Sequence, residues 1–272
     1  KDNQTDKDGN LIYLYSNNLE EQYAYIDAAK NKGYNVLLMD GQLDVAMVSM
    51  LEHKLEKCRF TRVDSDVIDR LIAKDEPKGE ELANEKKDIL SSVFRSQLPS
   101  MNKVEFNVET QAMGETGAPI MITQSEYMRR MKEMSHIQAG MSFYGEMPDM
   151  FNVVLNSDHK LVKQVLEDAN SACSEELLPI ETSIAALNFE QSEMQKKQQG
   201  MKYDEIPQAD KDALSEVEKK LADEKSKKDA VLSKYAGGNK VIRQLVDLAL
   251  LQNNMLRGEA LTNFVKRSIE MI

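Results

Sequence analysis

Cys58 and Cys173 are the only cysteines, far apart, with no CxxC pair between them. Isolated thiols of this kind fit reduced, semi-buried side chains in a reducing, cytoplasmic compartment. His53, His136 and His159 have neither a neighbouring cysteine nor a second histidine at ligand spacing, so no zinc or other metal site is expected. The remaining polar candidates are SNN at 16–18 and DGQLD at 40–44, each following an apolar run that reads as a strand. Parallel sheets bind ligands at such strand ends. Neither segment is a glycine-rich phosphate loop, and no GxGxxG or GxxxxGK[ST] occurs anywhere. Asp40 and Asp44 read instead as caps for a helix beginning near residue 43. No catalytic constellation is expected.

The binding chemistry lies elsewhere. Seven of the sixteen methionines fall between Met121 and Met150. Tyr127, Met128, Met131 and Met134 share an arc of roughly 120° on a helix, at about 100° per residue. Arg129, Arg130, Lys132, Glu133 and His136 occupy the other side. Methionine is flexible and polarizable, and suits surfaces that must accept many shapes. On composition alone such a stripe reads as buried core, with Met121, Met147 and Met150 packing beside strands. Its place ahead of an apolar chain end, taken with the resemblance set out below, turns the reading toward a contact surface.

The first 65 residues supply one frame. LIYLY (11–15), NVLLM (35–39) and CRFTRV (58–63) read as strands, with helices over 18–32 and 43–55 between them. Gly33 closes the first helix as a left-handed cap. Strand–helix–strand–helix–strand with short connections predicts a small parallel sheet flanked by helices. Polar residues at 64–86, including DEPKGEE (75–81), read as a linker or mobile loop. A helix over 85–97 buries Ile89, Leu90, Val93 and Phe94. Strands at 104–108, 120–123 and 151–156 and a helix after Ser157 or Asp158 make the next region α+β. The fold class is therefore α/β plus α+β. A small αβα parallel-sheet subdomain covers 1–64, a linker and connecting helix cover 65–98, and a helix-rich α+β domain covers 99–272.

Within that last region, Ile180, Ile184, Leu187, Gln191, Met194 and Gln198 step by four and three residues, and 208–235 repeats the pattern more weakly. These spacings predict an inserted antiparallel helical hairpin at 180–235 with a narrow coiled-coil seam, serving as a solvated spacer or a partner arm. Gly237, Gly238 and Asn239 break the hairpin, and VIRQLVDLALL (241–251) after them is apolar around most of its circumference. A second helix after Gly258 carries Leu261, Phe264, Val265, Ile269 and Ile272. So much apolar area at a chain end suggests burial by a second copy in a four-helix bundle. Leu245, Leu248, Ala249, Leu261, Phe264, Val265 and Ile269 are the expected homodimer interface.

Composition excludes some alternatives. A net charge of −11 argues against non-specific nucleic-acid binding, and no apolar run approaches the length of a membrane-spanning helix. The polar start KDNQTDKDGN has no secretory apolar region and no initiator Met, which fits a piece of a longer protein.

NKGYNVLLMDGQLDVAMVSML (31–51), LNSDHKLVKQVLEDA (155–169), ITQSEYMRRMKEM (122–134) and VIRQLVDLALLQNNML followed by GEALTNFVKRSIEMI carry a resemblance. In these segments the chain resembles the C-terminal half of bacterial members of the heat-shock protein 90 chaperone family. The resemblance implies a small middle subdomain, a C-terminal dimerisation domain, and an amphipathic helix at 122–134 that binds non-native client proteins. On that basis Tyr127, Met128, Met131 and Met134 are the client-binding candidates. It also implies an ATP-driven parent chaperone whose ATP and Mg site lies in an N-terminal domain outside this chain, so no cofactor and no ATPase activity belong to this piece. The hairpin departs from the family pattern, and the end SIEMI lacks the acidic recognition peptide to which co-chaperones dock in eukaryotic cytosolic members. A structural module with a partner arm and a buried methionine helix is the competing reading.

Overall fold

A computed structural model describes residues 2–41, 43–74, 81–135, 142–200 and 206–271. His136, Met141, Ile272, the segment 75–80 and the hairpin turn at 201–205 lie outside the described residues. The architecture is mixed α/β, with one parallel sheet, one mixed sheet and many helices.

The first sheet comprises β1 (Leu11–Ser16), β2 (Val36–Leu38) and β3 (Cys58–Arg62) in the order β2-β1-β3, all parallel. The crossovers are α1 (Tyr23–Asn31) and α2 (Asp44–Lys54). Side chains alternate across a strand, so β1 serves two cores. Ile12 and Leu14 pack with Tyr25, Ile26 and Ala29 on one face. Tyr15 packs with Met39, Val48 and Phe60 on the other, where Tyr13 stacks on Phe60 at 4.9 Å. Gly33 has φ +74 and closes α1 as expected. The start of α1 is later than the sequence suggests. Asn18 Oδ1 accepts from the backbone N–H of Glu20 and Glu21 at 3.1 Å, and this local turn competes with helix over 18–22.

The first part of the expected linker, residues 64–72, instead packs on the sheet. Val63, Val67, Leu71 and Ile72 are buried in the core of the first sheet, and α3 (Ile68–Leu71) forms there. These four apolar side chains, set among Asp64, Asp66, Asp69 and Arg70, are enough to dock one short turn.

The second sheet comprises β4 (Val104–Gln111), β5 (Ile120–Gln124) and β6 (Asp149–Asn156) in the order β4-β6-β5. β6 lies parallel to β4 and antiparallel to β5. One continuous core joins it to α4 (Asn84–Arg95), to the first turns of α7 (Lys160–Gln198), to the end of α8 (Gln208–Gly238), and to α9 (Lys240–Gln252) and α10 (Gly258–Met271). Phe94, Leu155, Leu232 and Ile242 are almost wholly enclosed there. Each such side chain contributes about 2 kcal/mol by leaving water.

Three helix boundaries differ, in whole or in part, from expectation. His159 caps α7, with Nδ1 accepting from the Leu161 N–H at 3.2 Å, while Asp158 turns away to accept from Gly114. The hairpin has no boundary at its root, because α7 continues unbroken from core to arm through Pro179. Of the three residues expected to break the hairpin, Gly237 and Gly238 remain inside α8, and Asn239 makes the break, its Oδ1 accepting from Val241 and Ile242 to start α9.

Candidate functional site: a helix docked by its charged face

The methionine helix is α5 (Glu126–Ser135), followed by α6 (Ser142–Glu146). It sits where the two sheets meet. The Gln124 N–H, at the end of β5, donates to the Asp64 carbonyl just beyond β3 at 3.1 Å. Tyr25 of α1 donates to the Ile122 carbonyl, with Asn253 Oδ1 at 3.0 Å.

The charged side of α5 is its inner side. Arg129 is only 5% exposed. It donates to Glu126 at 2.7 Å, to Glu133 at 2.5 Å and to the Tyr15 hydroxyl at 2.5 Å. Arg130 donates to Glu126 and to Glu52 of α2, each at 2.6 Å, and to the Phe60 carbonyl. Glu126 also accepts from the Tyr15 hydroxyl at 2.9 Å and the Arg62 N–H at 3.2 Å. Both arginines thus clamp α5 onto β1, α2 and β3.

Burial would raise the Glu126 pKa, but Arg129 and Arg130 outweigh it and hold this carboxyl below its ordinary value. Burial also opposes charge on both arginines, yet their carboxylate partners raise their pKa values, so they stay charged. Burial, then the Glu126 charge, pushes Tyr15 up to about 12. A buried, paired cluster of this kind specifies one docking orientation and is costly to break.

The opposite face of α5 carries the tyrosine and the methionines. Tyr127 is 61% exposed, and Met128, Met131 and Met134 are half-buried. Composition alone misses the charged cluster, although Glu126 with Arg129 and Arg130 at three and four residues is the spacing of helical ion pairs. Of the flanking methionines, Met121 packs against the core of the first sheet, whereas Met150 is largely exposed.

At the other end of the chain the seven interface candidates divide. Leu245, Ala249 and Phe264 are buried within this one chain, and Leu261 packs against the same core. They hold α9 and α10 to their own domain. Leu248, Val265 and Ile269 are exposed, as are Leu251 and Met271. Asp247, nearly enclosed, accepts from Arg267 at 2.5 Å and fixes α10 on α9.

The strand ends of the first sheet offer little room. A crevice of about 140 Å³ is lined by Tyr15, Asn17, Asp40, Gly41, Asp44 and Arg129, below the size of typical small-molecule sites. Asp44 does not cap α2 from the N-cap position. It is the first helical residue, and its carboxylate accepts from the Gly41 N–H at 2.8 Å. Burial raises both cysteine thiols, so neither is an activated nucleophile. Among the described residues no cluster of metal-ligating side chains occurs, and no helix is long and apolar enough to cross a membrane.

The site is thus a methionine-bearing helix clamped by its charged face at the junction of two α/β layers. The chain's relatives are chaperones. The chain is 67% identical over 272 residues to the chaperone protein HtpG of Bacteroides fragilis, a match covering all of this chain and 40% of that protein. The corresponding protein of Bacteroides thetaiotaomicron is 66% identical with the same coverage. That of Porphyromonas gingivalis is 43% identical over 269 residues, covering 99% of this chain and 39% of that protein. No family model matches the chain. The chain is homologous along its whole length to the HtpG chaperones, the bacterial branch of the heat-shock protein 90 family, and spans about 40% of the length of these relatives.

Proposed function

We propose that this chain is the C-terminal, dimerising and client-binding part of an HtpG-type chaperone. The observation that carries this reading is the orientation of α5. Its ionic face is used up in docking, so Tyr127, Met128, Met131 and Met134 are left to meet a ligand. A half-buried methionine surface adapts to non-native segments of varied shape.

In this reading the first sheet, with the residues up to Ile72 that fill its core, forms the small middle subdomain, the segment leading into α4 connects it, and 99–272 form the dimerisation domain. The exposed residues Leu248, Val265 and Ile269 would meet a second copy, while Leu245, Ala249, Leu261 and Phe264 support them from behind. Pairing two chains would set two α5 surfaces near each other and raise the effective concentration for one client. ATP and Mg would act in the parent's remaining part, within a cytoplasmic chaperone of the heat-shock response, and this part would have no enzymatic activity of its own. Neither nucleic acid nor membrane is a partner in this reading.

The test is binding of a permanently unfolded, reduced and carboxymethylated model protein. Replacing Met131 and Met134 by Ser should weaken binding roughly tenfold with little change in Tm. Unfolding of the variant, or undiminished binding, would overturn the client-site assignment.

A further inference from the structure

The arm is the feature that the chaperone reading leaves unused. Its α7 helix is about 58 Å long at 1.5 Å per residue, and its inner seam is occupied. Leu177 is buried and Ile180, Ile184 and Leu187 are half-buried on the side that packs on α8. At about 100° per residue, the opposite side carries Leu178, Thr182, Ala185 and Phe189 within an arc of roughly 60°. All four are exposed, Leu178 at 68% and Phe189 at 69%. Steps of four, three and four residues are those of a coiled-coil seam, so α7 carries a second seam facing outward.

The charges that α7 itself carries along this seam have one sign. From Gln164 to Gln195 α7 contains seven carboxylates and no lysine or arginine. Glu175 and Glu193 flank the stripe on one side and Glu181 on the other. Glu181 is met by Lys228 of α8 at 2.9 Å, and Glu193 by Lys196 at 2.8 Å. The Glu193 pair is exposed and therefore weak and exchangeable, whereas Lys228 is largely buried and stays on its side of the stripe. A second copy of the same face would bring carboxylates against carboxylates, which opposes self-pairing. Positive flanking residues on an incoming helix would instead complement the seam.

We propose that the outward face of α7 between Leu178 and Phe189 docks a basic amphipathic helix of a partner protein, converting the two-helix arm into a three-helix coil. The recognition mode is an apolar helix face laid along a helical groove, with lysine or arginine at the flanking positions. This is a site distinct from α5, and it does not depend on the client-binding reading.

The probe is a labelled Leu/Lys amphipathic peptide of about 18 residues, five helical turns, with a Leu/Glu twin of the same pattern, titrated by anisotropy in about 0.15 M salt. The Lys peptide should bind and the Glu twin should not. Leu178→Ser with Phe189→Ser leaves net charge unchanged and touches only exposed side chains. It should weaken Lys-peptide binding by roughly tenfold without moving the circular-dichroism melt. Met131→Ser with Met134→Ser should leave peptide binding as it is. Equal binding of both peptides, or undiminished binding by the Leu178/Phe189 variant, would overturn the proposal. So would self-association that this variant abolishes, because the occupant would then be a second copy.

Discussion

Arg130 of α5 and Glu52 of α2 meet at 2.6 Å, 78 residues apart in sequence, and tie the methionine helix to the first sheet. Glu126 sits between Arg129 and Arg130 and serves both. Glu126→Ala removes the shared acceptor and leaves two partly buried cations short of a partner. It should lower stability by about 3 kcal/mol in urea unfolding. Glu146→Ala, at an exposed pair with Lys103, should change it hardly at all.

The same carboxylate gives a pH signature. Glu126 lies below its ordinary value of 4.5 in the folded chain, its burial being outweighed by the two arginines. Its stabilising contribution is then fully present above that value and is lost as pH falls through the folded-state pKa. Unfolding free energy should decline below pH 4.5 in the unsubstituted chain. The decline should be shallower in Glu126→Gln, with the two curves converging at low pH.

Asn239 separates α8 from α9 by capping the latter. Asn239→Ala should cost about 1 kcal/mol and Asn239→Gly less, since glycine retains the backbone geometry of the cap. Thermal or urea unfolding of the two variants gives the order directly.

The chain end separates packing from pairing. Ile269→Glu places a charge on an exposed residue of α10 and should shift sedimentation at micromolar concentration from dimer to monomer without changing the melt. Phe264→Ala opens the chain's own core and should lower stability by about 3 kcal/mol. A monomer in both the unsubstituted chain and the Ile269 variant would exclude dimerisation through this end.

Strands and helices with strong periodicity are legible in the order of residues alone. The β1, α1, β2, α2, β3 succession and the cap at Gly33 follow from local pattern, although Leu37 and Leu38 of the apolar second strand are exposed. What escapes is decided by tertiary contacts. The charge-rich stretch after Val63 hides Val67, Leu71 and Ile72, which only the first sheet's open face draws inward. The α5 stripe is visible as a stripe, but its orientation depends on Glu52, Tyr15 and the Phe60 carbonyl, groups remote in sequence. Likewise the apolar circumference of α9 is mostly spent within the chain, on β5, α8 and α10, and only Leu248 and Leu251 remain outside. Residue type tells which helices are unusual, and partners tell which face is free.

Methionine oxidation followed by peptide mass spectrometry, with and without the unfolded model protein, tests the central claim most directly. If the methionine face of α5 binds clients, Met128, Met131 and Met134 should oxidise faster than enclosed Met39 in the free chain and become protected when the unfolded protein is added. Oxidation rates at these three residues that are as slow as at Met39, or that do not change on adding the unfolded protein, would contradict it.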